Sequence, residues 1–428
     1  MHMTALWGVI ARRLQLHLGS VTWLLTVILI VVLFATSARR STTLFDLDAA
    51  ALDADRLAHS VESDRMFHVY SEIRVAVDRA PAPLRLLAPG LDDALPTCAT
   101  VRGQFGPTTM RGRQMTPAPG PLSLDPAQVL GLFGSLLALL VTCGTVGSER
   151  EQGTLQLVLT YPVRRSVVLL GEFIAAMLLV LVPVVLCVVA LLTVAGATGR
   201  LVLDGDVLTG AGVFILTLAL LISTAAGTGL LIASSARTSA TGLTIGLFVW
   251  ALFAVIYPAV APSLSRLAAP VDAIVTSGSS DTLTKYWRKP RATTDARDVE
   301  RSLQQRLLQA DVYQRLTYLS PVSLYVAASE MTAGTSVSSY RAFLTSIERV
   351  AAQFSRWQAG KLAENPTRGT MYSMSDPPLD ITGLPSNQVT AVNPPIADAA
   401  SPILVLALWN LALFGAAHVR FARYDPRV

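Results

Sequence analysis

GSEREQGTLQLVLTYPVRR, residues 147–165, is a short charged stretch between two runs oily enough to span a bilayer. Upstream the chain is apolar from about Gln128 to Val146; downstream it is apolar within Val167 to Ala195. A spanning helix needs about 20 mostly apolar residues. Four more runs qualify: Val21 to Ala38, about Leu208 to Ala233, Thr241 to Ala261, and Ser401 to Val419. Of the 428 residues, 52% are hydrophobic and 15% charged, against about 25% charged in ordinary soluble domains. The expected fold is therefore an all-α polytopic membrane protein with six transmembrane helices. The first run is longer than a signal-peptide core. Arg39 and Arg40 follow it where a cleavage site would carry small residues, so it reads as an anchor.

Arginine placement orients the spans. Arg164 and Arg165, Arg237, and Arg420, Arg423 and Arg427 all fall on one side of a six-span path, which makes that side cytoplasmic. Arg12 and Arg13 before the first span are balanced by Arg39 and Arg40 after it. Both termini are then expected inside. Residues 1–20 form an interfacial segment, 147–166 an inner loop and 420–428 a tail. Residues 39–127 and 262–400 are expected outside, mainly helical with some short strands. The net charge of +5 is dispersed, with no basic tract of the kind nucleic acid selects.

The outer segments carry their own patterns. Leu57, Val61, Val69, Ile73 and Val77 recur at near-helical spacing, and TCATVRG alternates like a strand. Val299, Leu303, Leu307, Val312 and Leu316 form one apolar stripe; Tyr340, Leu344, Ile347, Ala351, Phe354 and Trp357 form another. The second reads as a helical packing face, with a partner surface as the alternative. From Asn365 to Pro402 the Pro, Ser and Asn content predicts an extended return to the membrane.

Recognisable catalytic chemistry is absent from the sequence. There is no GxxxxGK[ST] phosphate loop, no GxSxG elbow and no Cys–His set arranged for nucleophilic work. His59 and His68 share a candidate outer helix, but no His, Cys and carboxylate set has metal spacing. Cys98 has no evident disulfide partner. No catalytic residue, resident metal or cofactor is expected in this chain.

The opening loop is the feature left to explain. Ser148 followed three residues later by Glu151 reads as a capping box, starting a short amphipathic helix that Tyr161-Pro162 ends. It is either a passive interfacial anchor or a lever that a soluble protein pushes. Residues Ser148 to Glu172, SEREQGTLQLVLTYPVRRSVVLLGE, closely resemble the signature of ABC type-2 transporter permeases. GTGLLIASSARTSATGLTIGLFVWALFAVIYP is similar to that family's fourth and fifth spans. LSPVSLYVAASEMTAGTSVSSYRAFL and FGAAHVRFARYDPRV resemble a subgroup with large insertions after spans one and five.

The resemblance implies that Ser148, Glu149, Glu151, Gly153 and Thr154 open a coupling helix, which Pro162, Arg164 and Arg165 close before Gly171 and Glu172 of span three. It implies an elbow helix over Met3 to Leu18 carrying Trp7, Arg12 and Arg13. Where the family commonly has Lys after the glycine, this chain has Glu172. The implied partners are a separate cytoplasmic ABC ATPase holding ATP and Mg, and a second permease copy or paralogue. Membrane lipid surrounds the assembly, a periplasmic protein is a further candidate partner, and the location is the bacterial inner membrane. The implied function is export. The alternatives are an ATP-driven mechanical transmitter acting on a periplasmic partner or maturing metallocentre, and a membrane receptor or scaffold with ligand-binding outer domains.

Overall fold

A computed structural model describes residues 2–63, 67–93, 98–105, 108–111, 125–151, 165–236, 238–270, 305, 308–309, 311–371, 377–386, 388–390 and 396–422. Among them, six helices are long and apolar enough to cross a membrane. Inside hydrocarbon a chain must satisfy its own backbone groups, so apolar runs rich in Val and Ile still form helices. Even the hydroxyls in these runs turn inward. Thr26 donates to the Thr22 carbonyl at 2.8 Å and Thr217 to Val213 at 2.7 Å.

Helix α1 covers His2–Leu18 and α2 covers Val21–Ser63. α2 carries the first span and continues past Arg39 and Arg40 without a break. Its extension is fastened at the far end of the bundle. Ser41 Oγ donates to the Leu86 carbonyl at 2.9 Å, and Arg200 grips both carboxylate oxygens of Asp46 at 2.8 and 2.9 Å. Three strands follow, β1 (Val75–Arg79), β2 (Cys98–Val101) and β3 (Thr109–Arg111). The remaining spans are α3 (Pro126–Glu151), α4 (Arg165–Ala197), α5 (Gly205–Ser235), α6 (Ser239–Ala251) continued by α7 (Tyr257–Ala268), and the C-terminal helix Ala400–Ala422. Asp204 caps α5 by accepting from the Val207 amide at 2.8 Å.

Between α6 and α7, residues Leu252–Ile256 form a π-helical turn. Pro258, just inside α7, has no N–H and its ring crowds the carbonyl four residues back, so the helix widens there. Helix α8 (Pro321–Ala333) uses that irregularity: its N-cap Ser320 donates to the Phe253 carbonyl at 2.7 Å. α8 enters the bundle without crossing it. Tyr325, fully buried, donates to the Ala127 carbonyl at 3.0 Å. Its ring fills the space opposite Gly131, where a Cβ would lie 2.5 Å from the ring edge. α8 then ends at Gly334 in the left-handed region, φ 76°.

Helix α9 (Val337–Glu364) and strand β4 (Gln388–Thr390) complete a separate layer with its own core. Among the described residues the sheet order is β3-β2-β1-β4, with β1 and β4 parallel and the other pairs antiparallel. Tyr340, Phe343, Leu344, Ile347, Val350 and Phe354 of α9 pack on Val75, Val77, Ala99 and Val101 as one core, with Ala351 and Trp357 partly buried beside it. The apolar stripe on α9 is thus a packing face.

Two sequence expectations are corrected. Val69, Ile73 and Val77 do not continue a helix: α2 ends at Ser63, Tyr70–Glu72 is a single 3-10 turn and Val77 lies in β1. Every residue of β1 is buried, so the strand shows no alternation to expose its period. Ser148 does not cap a new helix, because α3 runs on through Ser148 and Glu149 to Glu151. Of the first stripe, Val299, Leu303 and Leu307 lie outside the described residues, while Val312 and Leu316 lie in the helical residues 311–317.

Candidate functional site

Of the helices that flank the opening loop, α4 packs on α1 at one end of the bundle. α3 stops at Glu151 and α4 starts at Arg165; Gly153, Thr154, Pro162 and Arg164 lie outside the described residues. α1 lies against the first turns of α4. Ile10 is buried and Leu14 packs against the bundle core, while Trp7, Arg12 and Leu16 are exposed. An apolar outer face flanked by arginine is what a helix at a membrane interface presents.

Gly171 sets the closeness of this packing. A Cβ there would lie 2.7 Å from Val9 Cγ1 and 3.1 Å from Val9 Cβ. The next residue is Glu172, whose carboxylate receives the Arg13 guanidinium Nε–H, with side-chain exposures of 7% and 11%. A carboxylate this deep is costly unless a cation neutralises it. The acidic residue found where the family resemblance implies lysine is therefore one half of an ion pair with α1. Burial, and then the Arg13 charge, hold the His17 imidazole below its ordinary pKa. Sequence analysis singled out Arg13 and Glu172 separately; their pairing across 159 positions had no local signal.

At the opposite end a buried ionic network ties the sheet to α2 and α8. Arg79 donates to Asp92 at 2.6 Å and to the Gly334 carbonyl at 3.0 Å. Arg85 pairs with Asp48 on α2 and lies 3.6 Å from Asp92. Thr335 Oγ1 donates to the Ala88 carbonyl at 2.9 Å. Gly90 brings this turn against Glu330, because a Cβ there would lie 2.9 Å from Glu330 Cγ. Burial, with the carboxylates of Asp125 and Asp92 adding, pushes the Glu330 carboxyl up to about 8.

Between the two ends lies an apolar cavity of about 110 Å³, bounded in part by Ser135, Leu221, Thr224, Trp250, Phe253 and Trp409. Its hydroxyls are engaged: Ser135 accepts from Trp250 Nε1 at 3.1 Å, and Thr224 accepts from Asn410 Nδ2 at 2.8 Å. Among the described residues one set of metal-type donors converges, Asp55, Asp78 and Cys98. They come from three separate stretches, so spacing in the sequence did not reveal them.

Six apolar helices, with α1 docked on the third of them, make up the membrane part of the architecture. Comparison with protein families adds the deciding observation: the profile described as ABC-2 family transporter protein matches residues 19–426. The chain belongs to the ABC-2 transporter family. No curated protein matches it. As an ABC-2 family chain it is an all-α polytopic membrane protein of the permease type, and its helical bundle with a small sheet is the form this sequence gives that class.

Proposed function

We propose that this chain is the membrane subunit of an ATP-driven exporter, moved by a separate cytoplasmic ATPase that binds ATP and Mg. The ATPase pushes on the segment from Ser148 to Arg165, and α4 carries the push into the bundle. The observation that supports this reading best is the elbow junction. The Arg13–Glu172 pair and the Gly171–Val9 approach fasten an interfacial helix to the first turns of the span that leaves the charged loop. A displacement of the loop then moves two helices together. Arginine placement favours the loop and both termini on the cytoplasmic side of an inner membrane. Two permease copies with two ATPases make the working unit, and substrate passes at the interface between the copies.

A second reading is favoured by α2, which runs unbroken from the first span into the buried Arg85–Asp48 contact of the outer layer. In that reading the same ATPase stroke is delivered to a partner outside, with no bulk substrate crossing.

The test is recovery of the ATPase on the tagged chain. Gly153→Trp places a large side chain where the partner's backbone is expected to approach, and Glu151→Arg reverses the offered charge. Both variants should insert normally and lose the ATPase. Normal recovery of the ATPase with both variants, together with unchanged nucleotide hydrolysis by the complex, overturns the coupling role.

A further inference from the structure

We propose that Asp55, Asp78 and Cys98 form a binding site for one divalent cation of borderline softness, zinc being the type. The three ligand atoms lie within 4.8 Å of one another and come from three elements: α2, β1 and β2. Asp78 and Cys98 are directly opposed partners of the antiparallel pair, which puts both side chains on one face of the sheet. Both are buried, at 2% and 3% exposure, and Asp55 closes the group from the α2 extension.

The donor set selects the ion. Calcium and magnesium take oxygen ligands, whereas a thiolate beside carboxylates suits zinc-like ions. Zinc binds sulfur at about 2.3 Å and carboxylate oxygen at about 2.0–2.2 Å, which sets tetrahedral ligand atoms roughly 3.3–3.8 Å apart. Donors already within 4.8 Å reach that geometry by closing about 1.5 Å or less. A second observation supplies access. A small cavity of about 20 Å³, room for about one water, opens against Asp55 and Asp78 and is bordered by Asp48, Arg79, Arg85 and Asp92. It gives the ion an entry path and room for a water as fourth ligand. Metal binding releases the thiol proton of Cys98 to solvent, with the ion taking the thiolate. The bound ion would clip the extension of the first span to the outer sheet, a role independent of the ATPase reading.

The experiment uses the full-length chain in detergent, carrying Cys143→Ser and Cys187→Ser so that Cys98 is the remaining thiol. After chelation and dialysis, cadmium is titrated as the thiolate-sensitive probe and zinc by calorimetry. One equivalent of cadmium should produce an ultraviolet thiolate-to-metal band, and zinc should bind with the same stoichiometry and raise the melting temperature. Asp55→Asn, a change at the least buried donor, and Asp78→Asn should each weaken zinc at least tenfold, and Cys98→Ser should abolish the band. Absence of stoichiometric binding overturns the proposal. So does zinc affinity unchanged in both Asn variants when their metal-free melting temperatures match the parent, since that result leaves an adventitious thiol adduct.

Discussion

Replacing Gly171 by alanine adds one methyl group at the tightest point of the elbow junction. That methyl would sit 2.7 Å from Val9 Cγ1 and 3.1 Å from Val9 Cβ, whereas carbon atoms rest at about 3.5–4.0 Å. Valine is stiff about its first torsion and cannot swing clear, so α1 must retreat from α4 by about 1 Å. Two effects then compete. Alanine improves the local helix propensity of α4 by about 0.5–1 kcal/mol, and overpacking costs about 1–3 kcal/mol. The first strengthens α4 whether or not α1 is attached; the second acts only while α1 is docked. Global unfolding therefore blurs the two, but detachment of α1 isolates the second. At about 1.4 kcal/mol per factor of ten, the opening constant of α1 should rise roughly 5- to 150-fold. Hydrogen exchange of the amides of α1, measured in lipid nanodiscs, reads that constant directly. Val9→Ala in the same chain removes the offending methyls and should bring exchange most of the way back. Unchanged exchange of α1 in Gly171→Ala, or no recovery in the double variant, refutes the claim that this glycine sets the docking distance.

Phe354 is fully buried between α9 and the sheet, so Phe354→Ala should lower stability by about 3–5 kcal/mol; denaturation of the purified chain monitored by tryptophan fluorescence checks this, and a loss below 1 kcal/mol contradicts the packing role. Glu330 carries a carboxyl raised from its ordinary 4.5 to about 8. The folded state therefore holds that proton more tightly than the unfolded chain, and the stability it contributes is full below about pH 4.5 and is lost as pH rises toward 8. The wild-type melting temperature should fall between pH 6 and pH 8.5 more steeply than that of Glu330→Gln, and parallel curves for the two proteins would show that Glu330 is not the group responsible.

What could be read from the sequence follows from how each feature is encoded. A span is written contiguously, because each bilayer crossing must be apolar along its own length; the six runs are visible without any partner. The stripe from Tyr340 to Trp357 is visible for the same reason, as one helix face repeats at fixed spacing. β1 was concealed by its own burial, since Val75 to Arg79 face neighbours on both sides. The end of α2 was concealed by the charges of Arg39 and Arg40, which mark a membrane boundary but place no constraint on where a helix stops. Ser148 was misread because the same Ser-x-x-Glu spacing occurs inside a helix as at its start, and only the path of α3 distinguishes them. The Arg13–Glu172 pair and the convergence of Asp55, Asp78 and Cys98 depend on chain segments far apart in sequence, so each residue taken alone looks like an ordinary surface charge or a lone thiol.

The unbroken course of α2 has a mechanical consequence. A helix of 43 residues is about 65 Å long at 1.5 Å per residue, roughly twice the about 30 Å of hydrocarbon it crosses. It therefore acts as a pole whose N-terminal end stands beside α1 and whose C-terminal end stands beside the sheet. A tilt of about 5° about the N-terminal end sweeps the C-terminal tip sideways by about 5–6 Å, the scale of one helical turn. Small angular adjustments among the spans are thereby delivered outside the bilayer as displacements larger than those that caused them, and Arg85 gripping Asp48 part-way along the pole makes the sheet travel with it.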